Sequence, residues 1–263
     1  SIFILLIISG GLGFVVFLDF WGLNADESNM GIYQRMQNLN LQTKIVLLST
    51  AFLLCLGFLI FFCFEYQNNK TMADLSPGSK ILCSLFQSVT CRTAGFNSLD
   101  FGQMNTQTQF SCLFLFLIGA SPASTGGGLK TTTFAILVLA AFTIIMGRKR
   151  IRLFNREIAW ELATNAFIIS FLYILFLFST VALLIFEPNL PLIKIVFEAC
   201  SAIGTVGLST GITATLTSAS RVVIIFLMFF GRIGPLSLFL AFSDAKHADE
   251  GSLRFPEEHI GVG

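Results

Sequence analysis

The sequence predicts an all-α integral membrane protein built from tandem helix, pore loop, helix repeats. Three observations carry that expectation. Of 263 residues, 54% are hydrophobic and only 12% charged, about half the charge of an average soluble domain. Long uncharged runs reach the ~20 residues that cross a ~30 Å hydrocarbon core. Between them lie two short glycine-bearing runs: Thr93-Ala94-Gly95-Phe96 maps onto Thr205-Val206-Gly207-Leu208 at an offset of 112 residues.

The first run, 1–18, is apolar, contains Gly10-Gly11-Leu12-Gly13 and is expected to end at Asp19. It lacks the basic start and cleavage site of a signal peptide. A start without methionine, inside a hydrophobic stretch, reads as part of something longer. Residues 19–44 are polar. Residues 45–64 make the clearest span, and 65–80 read as a polar loop in which Ser76-Pro77-Gly78 turns. The apolar piece 81–89 is too short to cross. With the loop 90–96 it suits a helix that enters part way and returns.

Residues 110–146 exceed one straight helix, and Gly119-Ala120-Ser121-Pro122-Ala123-Ser124-Thr125-Gly126-Gly127-Gly128-Leu129-Lys130 should unwind its middle. Arg148, Lys149, Arg150, Arg152 and Arg156 follow. The positive-inside rule makes that loop cytoplasmic, both re-entrant loops external and the tail with Lys246 and Arg254 internal. Residues 162–186 span again, Glu187-Pro188 turns, and 192–203 form a second short helix leading into a glycine-rich run. The last helix, 222–242, is interrupted by Gly231-Arg232-Ile233-Gly234-Pro235.

The net charge of +1 gives no reason to expect nucleic acid binding. His247 and His259 fall in the polar tail and read as solvated surface. Cys55, Cys63, Cys83, Cys91, Cys112 and Cys200 show no CxxC spacing and no histidine companion, so they read as free, small hydrophobes. There is no triad, no catalytic carboxylate pair and no metal cluster in the sequence. Nothing suggests an enzyme, and no cofactor is expected.

The repeated loops carry the chemistry. Thr-Val-Gly opens the kind of K⁺ filter in which backbone carbonyls replace an ion's hydration shell, so the repeats are of the K⁺-channel-like type. Non-helical backbone at membrane depth is tolerated only where protein buries it or it lines a water-filled path. The candidate filter residues are Cys91, Arg92, Thr93, Ala94 and Gly95 in the first copy, and Gly204, Thr205, Val206 and Gly207 in the second. An ion is expected near Thr93, Gly95, Thr205 and Gly207; the bland alternative is an ordinary turn at each helix end.

The glycine-rich insert is the candidate gate: Gly119, Ala120, Ser121, Ser124, Thr125, Gly126, Gly127, Gly128 and Lys130, joined by Arg232 from the last helix. Gly126 to Thr131 invites comparison with the P-loop, GxxxxGK[ST]. Leu129 occupies the position that needs glycine, which leaves a membrane-embedded nucleotide-binding enzyme as a weak alternative. Close helix packing through small residues is another. Arg232 and Lys130, costly in lipid, are expected to face a cavity or a carboxylate. Glu198 and Lys194, four apart, are spaced to pair.

Arg92-Thr-Ala-Gly-Phe-Asn, Ile118-Gly-Ala-Ser-Pro-Ala-Ser-Thr-Gly-Gly-Gly-Leu-Lys-Thr-Thr-Thr, Gly204-Thr-Val-Gly-Leu-Ser-Thr-Gly, Gly231-Arg-Ile-Gly-Pro-Leu and the tail Phe255-Pro-Glu-Glu-His-Ile-Gly-Val-Gly together resemble the Trk/Ktr/HKT superfamily of K⁺ and Na⁺ transporters, and within it the membrane subunit of bacterial Ktr systems. The resemblance implies four repeats around one pore, each giving a filter strand with a key glycine. Residues 1–44 then hold the last helix of a preceding repeat and a loop, 45–156 the third repeat, 157–243 the fourth and 244–263 a cytoplasmic tail. It makes Gly95 and Gly207 filter glycines, the insert an intramembrane gating loop and Arg232 a positive residue beneath the filter. It also implies a plasma-membrane homodimer carrying K⁺, with or without Na⁺. Its expected partners are a cytosolic nucleotide-binding regulatory ring of RCK type and a missing N-terminal half, since two strands cannot enclose a fourfold site. A non-conducting structural subunit is the remaining alternative.

Overall fold

The computed structural model describes residues 2–26, 38–188 and 190–234. The chain starts with α1 (Ile2–Leu12) and α2 (Phe14–Asp26), which meet at an angle of 85°. The expected single helix ending at Asp19 is therefore two. Gly13, at φ 82°, supplies the turn. The α2 helix runs past Asp19, whose carboxylate accepts hydrogen bonds from the backbone N–H of Asn40 (3.0 Å) and from its side-chain amide (2.6 Å).

Next comes α3 (Leu41–Glu65), 25 residues and long enough to span. The expected polar loop begins too early, because Glu65 is fully buried. Its carboxylate accepts from the Asn105 N–H (2.9 Å), Asn68 Nδ2 (2.6 Å), Thr71 Oγ1 (2.6 Å) and Thr108 Oγ1. A buried carboxylate is tolerable when both oxygens are so occupied. Here it ties the C-terminal end of α3 to the start of a later helix.

The short helix α4 (Pro77–Thr90) takes in the expected turn: Ser76 is its N-cap and Pro77 its first residue, the arrangement that best suits a serine and a proline. After a 3₁₀ turn (Phe101–Gln103), α5 (Thr106–Leu117) and α6 (Thr131–Ile145) are separated by the glycine-rich insert, as expected. The basic stretch folds into a hairpin of β1 (Ile151–Leu153) and β2 (Arg156–Ile158), which composition did not anticipate. Then follow α7 (Trp160–Leu184), also long enough to span, the short α8 (Leu192–Ile203), a 3₁₀ turn (Ile212–Ala214) and α9 (Ser218–Ile233). The α9 helix stops at the expected interruption, with Gly234 at φ 89°. Pro235, His247, His259 and the whole tail expectation lie outside the described residues.

The core sits behind the two short helices. Phe197 on α8 packs edge-on to Phe116 of α5 (centroids 4.9 Å apart) and against Phe101 (5.7 Å), and Phe101 continues to Phe61 of α3 (6.2 Å). Such aromatic contacts each add about 0.5–1.5 kcal/mol beyond area burial. Val206 and Leu208, beside the second candidate filter glycine, are buried in the same cluster. Many large apolar side chains on α3, α6 and α7 point outward, among them Phe52, Ile145 and Phe178, as helices in lipid require.

Candidate ion-pathway site

The two candidate filter loops leave their helices in the same way. Thr93 and Thr205 have φ of 63° and 52°, and two residues on, Gly95 and Gly207 have 76° and 86°. A β-branched residue at positive φ is rare, and such backbone gathers where surrounding contacts hold it for function. One contact holding it is also paired. Thr90 Oγ1 donates to Phe96 O (2.5 Å) and Ser201 Oγ to Leu208 O (2.5 Å). Each hydroxyl, at the end of its short helix, fixes the carbonyl just past the candidate glycine. Sequence spacing hid this pair, because the acceptors lie 112 residues apart and the donors 111.

The loops touch. A Cβ on Gly95 would stand 2.7 Å from Val206 O, and one on Gly207 3.4 Å from Gly95 Cα. Ala94 is half-buried, Val206 and Gly204 are buried, and Cys91 and Cys200 sit in apolar surroundings as free thiols. Arg92 is buried too, and among the described residues its Nε and Nη2 find no hydrogen-bond partner.

Directly beneath lies the insert. A Cβ on Gly126 would come within 2.3 Å of Thr93 Oγ1, and one on Gly127 within 2.3 Å of Thr205 Oγ1. The Gly127 N–H donates to that same Thr205 hydroxyl (3.1 Å), and the Gly128 N–H to Gly231 O (3.1 Å), which also accepts from the buried Tyr173 hydroxyl (3.0 Å). The insert's two ends are stitched by Leu129 N to Leu117 O (3.2 Å) and Gly119 N to Leu129 O (2.9 Å). Ala120 O accepts from Thr131 N–H (3.3 Å), and Ser124 Oγ donates to Ser121 O (2.6 Å).

The cations hold the insert by its carbonyls. Arg232 Nη1 donates to Thr125 O (2.5 Å) and Lys130 Nζ to Gly126 O (2.6 Å). Of the two expected surroundings, a cavity or a carboxylate, neither cation meets a carboxylate among the described residues. Glu198 likewise does not pair with Lys194: its Oε1 accepts from Ser209 Oγ (2.8 Å) and Thr213 Oγ1. Arg150 to Glu157 is the ion pair found among the described residues. On the far side, the α1–α2 bend grips the insert through Phe14 N to Ala123 O (3.2 Å) and Ser121 N to Gly11 O (3.1 Å).

This geometry removes the nucleotide alternative. A phosphate cradle needs free backbone N–H groups, but those of Gly126, Gly127, Gly128 and Leu129 are already donated within the protein. What remains is a glycine strap pressed against the inner ends of two glycine-turned loops.

The family follows from comparison with known proteins. Residues 1–250 match TrkH, described as a cation transport protein. The chain belongs to the TrkH cation transport protein family. It is 38% identical to the Ktr system potassium uptake protein B of Bacillus subtilis, covering 98% of this chain and 55% of that one, and 34% identical to the potassium/sodium uptake protein NtpJ of Enterococcus hirae, covering 98% and 56%. This TrkH-family chain thus spans about half the length of the curated relatives it matches. Among solved structures, the potassium transporter TrkH of Vibrio parahaemolyticus superposes with a TM-score of 0.69 at 18% identity, over 91% of this chain and 51% of that one, which shows the fold. The matched family is one of cation transport proteins and not of enzymes, as the sequence leads one to expect.

Proposed function

We propose that the chain forms the C-terminal part of the membrane subunit of a channel-like K⁺ uptake transporter. The contact between the loops around Gly95 and Gly207, with the glycine strap against Thr93 and Thr205, carries the reading. Non-helical backbone around each glycine offers carbonyl oxygens to a dehydrated cation. Residues 45–156 and 157–243 act as two repeats of a fourfold pore, and a preceding half supplies the other two. K⁺ passes down its electrochemical gradient between Thr93, Gly95, Thr205 and Gly207. The strap, held by Arg232 and Lys130, blocks the way out until it moves. On the family resemblance of its motifs we further propose that the subunit works as a homodimer in the plasma membrane with a cytosolic nucleotide-binding ring; that one relative is a potassium/sodium uptake protein supports Na⁺ as a companion or competitor of K⁺.

The test is K⁺ uptake by a transport-deficient bacterial strain expressing the complete gene, its Gly126 to Gly128 deletion, or the complete gene with Gly207→Ser. The deletion raises flux and the substitution weakens the preference for K⁺ over Na⁺. Unchanged flux and selectivity in both refutes the assignment, and absence of any uptake by the complete gene favours a structural subunit.

A further inference from the structure

The hairpin between α6 and α7 is not needed by the pore, yet it is the most charged surface described. Residues 148–158 carry five cations, Arg148, Lys149, Arg150, Arg152 and Arg156, against one carboxylate, Glu157. All five cations are exposed, and among the described residues only Arg150 forms an ion pair, to Glu157 at 3.3 Å. The hairpin that displays them is firmly seated. Ile151 is fully buried and Ile158 nearly so, both in a cluster with Ile45 of α3, Ala140 of α6 and Ala163 of α7. At the tip, Phe154 and Asn155 turn with positive φ, and Lys44 of α3 stands 5.7 Å over the Phe154 ring.

Its position is set by the helices. On one side, Ile144, Ile145 and Met146 end α6 with exposed apolar side chains, and on the other, Leu162 and Phe167 begin α7 in the same way. The fourteen residues between the two helices, 146–159, fold back on themselves as the hairpin, which keeps its cations near the level of these helix ends. Trp160 marks that level: its ring is 40% exposed while its indole N–H donates to Lys149 O (2.9 Å), the split between apolar face and wet edge typical of interfacial tryptophan. Beside it lies a depression of about 370 Å³ lined by Arg148, Lys149, Arg150 and Arg152.

The geometry points to a binding site for the phosphate headgroup of an anionic phospholipid on this hairpin, with Arg148, Lys149 and Arg152 around the phosphate and Phe154 and Trp160 at the acyl boundary. A docked acidic protein would use the charges equally well. It gives no role to the apolar side chains that continue from the cations along both helices, so lipid is the better fit. The inference rests on the bilayer placement of α6 and α7 and not on K⁺ transport.

The complete transporter, purified in detergent, is titrated with phosphatidylglycerol and with phosphatidylcholine and read by native mass spectrometry. Juxtamembrane cations each contribute to anionic-lipid attraction, so a preference for phosphatidylglycerol of about tenfold or more is expected. It falls below about twofold in an Arg148→Gln, Lys149→Gln, Arg152→Gln variant and survives in Arg148→Lys, Arg152→Lys. On the unaltered protein, raising NaCl from about 50 mM to about 500 mM removes most of the preference through screening, which keeps the test decisive if the glutamine variant misfolds. Equal retention of the two lipids overturns the proposal. So does competition by soluble glycerol phosphate at matched concentration, or hairpin protection by an acidic protein and not by lipid. A transporter that takes up K⁺ but shows no lipid preference sinks this inference alone.

Discussion

Replacing Gly127 by alanine puts one methyl group where the strap meets the candidate filter loop at Thr205. That Cβ would lie 2.3 Å from Thr205 Oγ1, 2.8 Å from Thr205 Cγ2 and 3.0 Å from Gly231 O. Gly127 is outside the left-handed region, so alanine adds no backbone strain there and the effect is one of space alone. Overpacking of this kind costs about 1–3 kcal/mol. A middle value of about 2 kcal/mol shifts the balance between seated and displaced strap by roughly 30-fold. Thr205→Ala alone removes the 3.1 Å hydrogen bond from the Gly127 N–H, worth about 1 kcal/mol, and changes the filter besides. In the double variant the two closest obstacles are gone, so the methyl fits. The combined effect should match Thr205→Ala alone, giving a coupling equal to the whole Gly127→Ala increment, about 2 kcal/mol, far from the additivity of independent sites. The assay is the initial rate of K⁺ uptake at equal membrane expression, with apparent melting temperature as a companion. Gly127→Ala is expected to speed uptake, and Thr205→Ala to cancel the increment it adds. An unchanged rate in Gly127→Ala, or effects that simply add, refutes the strap as an obstruction.

Other outcomes follow from the same geometry. Gly95→Ser should impair K⁺ selectivity more than Gly207→Ser, because its Cβ meets Val206 O at 2.7 Å whereas the other stands at 3.4 Å; equal defects in competitive K⁺/Na⁺ uptake would argue against that ranking. Glu65→Gln turns one acceptor oxygen into a donor facing donors and should destabilise by about 2–3 kcal/mol in denaturation of the purified protein; a loss under about 0.5 kcal/mol would show that the buried carboxylate contributes little. Glu187 has its carboxyl held below the ordinary range by the hydroxyls of Ser220 and Thr217, with help from the Thr217 N–H. Because the folded state favours the ionised form, its stabilisation is full above the unfolded carboxylate range and disappears as pH falls through the lowered folded value. Melting curves of the wild type and Glu187→Gln should therefore differ at neutral pH and converge in acid, and a constant gap would exclude the linkage.

Much of this protein was legible because lipid and backbone chemistry leave few choices. Apolar length marked α3 and α7, since only a helix satisfies its own amides in hydrocarbon. Proline and glycine located the break between α5 and α6, and the threonine-to-glycine spacing located two loops that turn with the same φ pattern. The placement of Ser76 and Pro77 was misread because a turn and a helix start use the same residues.

What the chain could not disclose locally was partnership. Glu65 looked like the first residue of a solvated loop until distant Asn105 and Thr108 supplied its donors. Arg232 and Lys130 are expected to face a cavity or a carboxylate, and the carbonyls of Thr125 and Gly126 in the unwound strap meet them. Gly13 reads as one small residue in an apolar run, and only the docking of Pro122 and Ala123 against it reveals why the chain bends there. Sequence by itself determined which segments are long and apolar enough to cross a membrane and which residues can adopt the tight backbone of the loops, because both depend on side-chain polarity and on the presence of a Cβ. Tertiary structure decided which distant donors reach the Glu65 carboxylate and the carbonyls of Thr125 and Gly231, because those donors are 40 to 107 residues away and distance in the chain says nothing about distance in the fold.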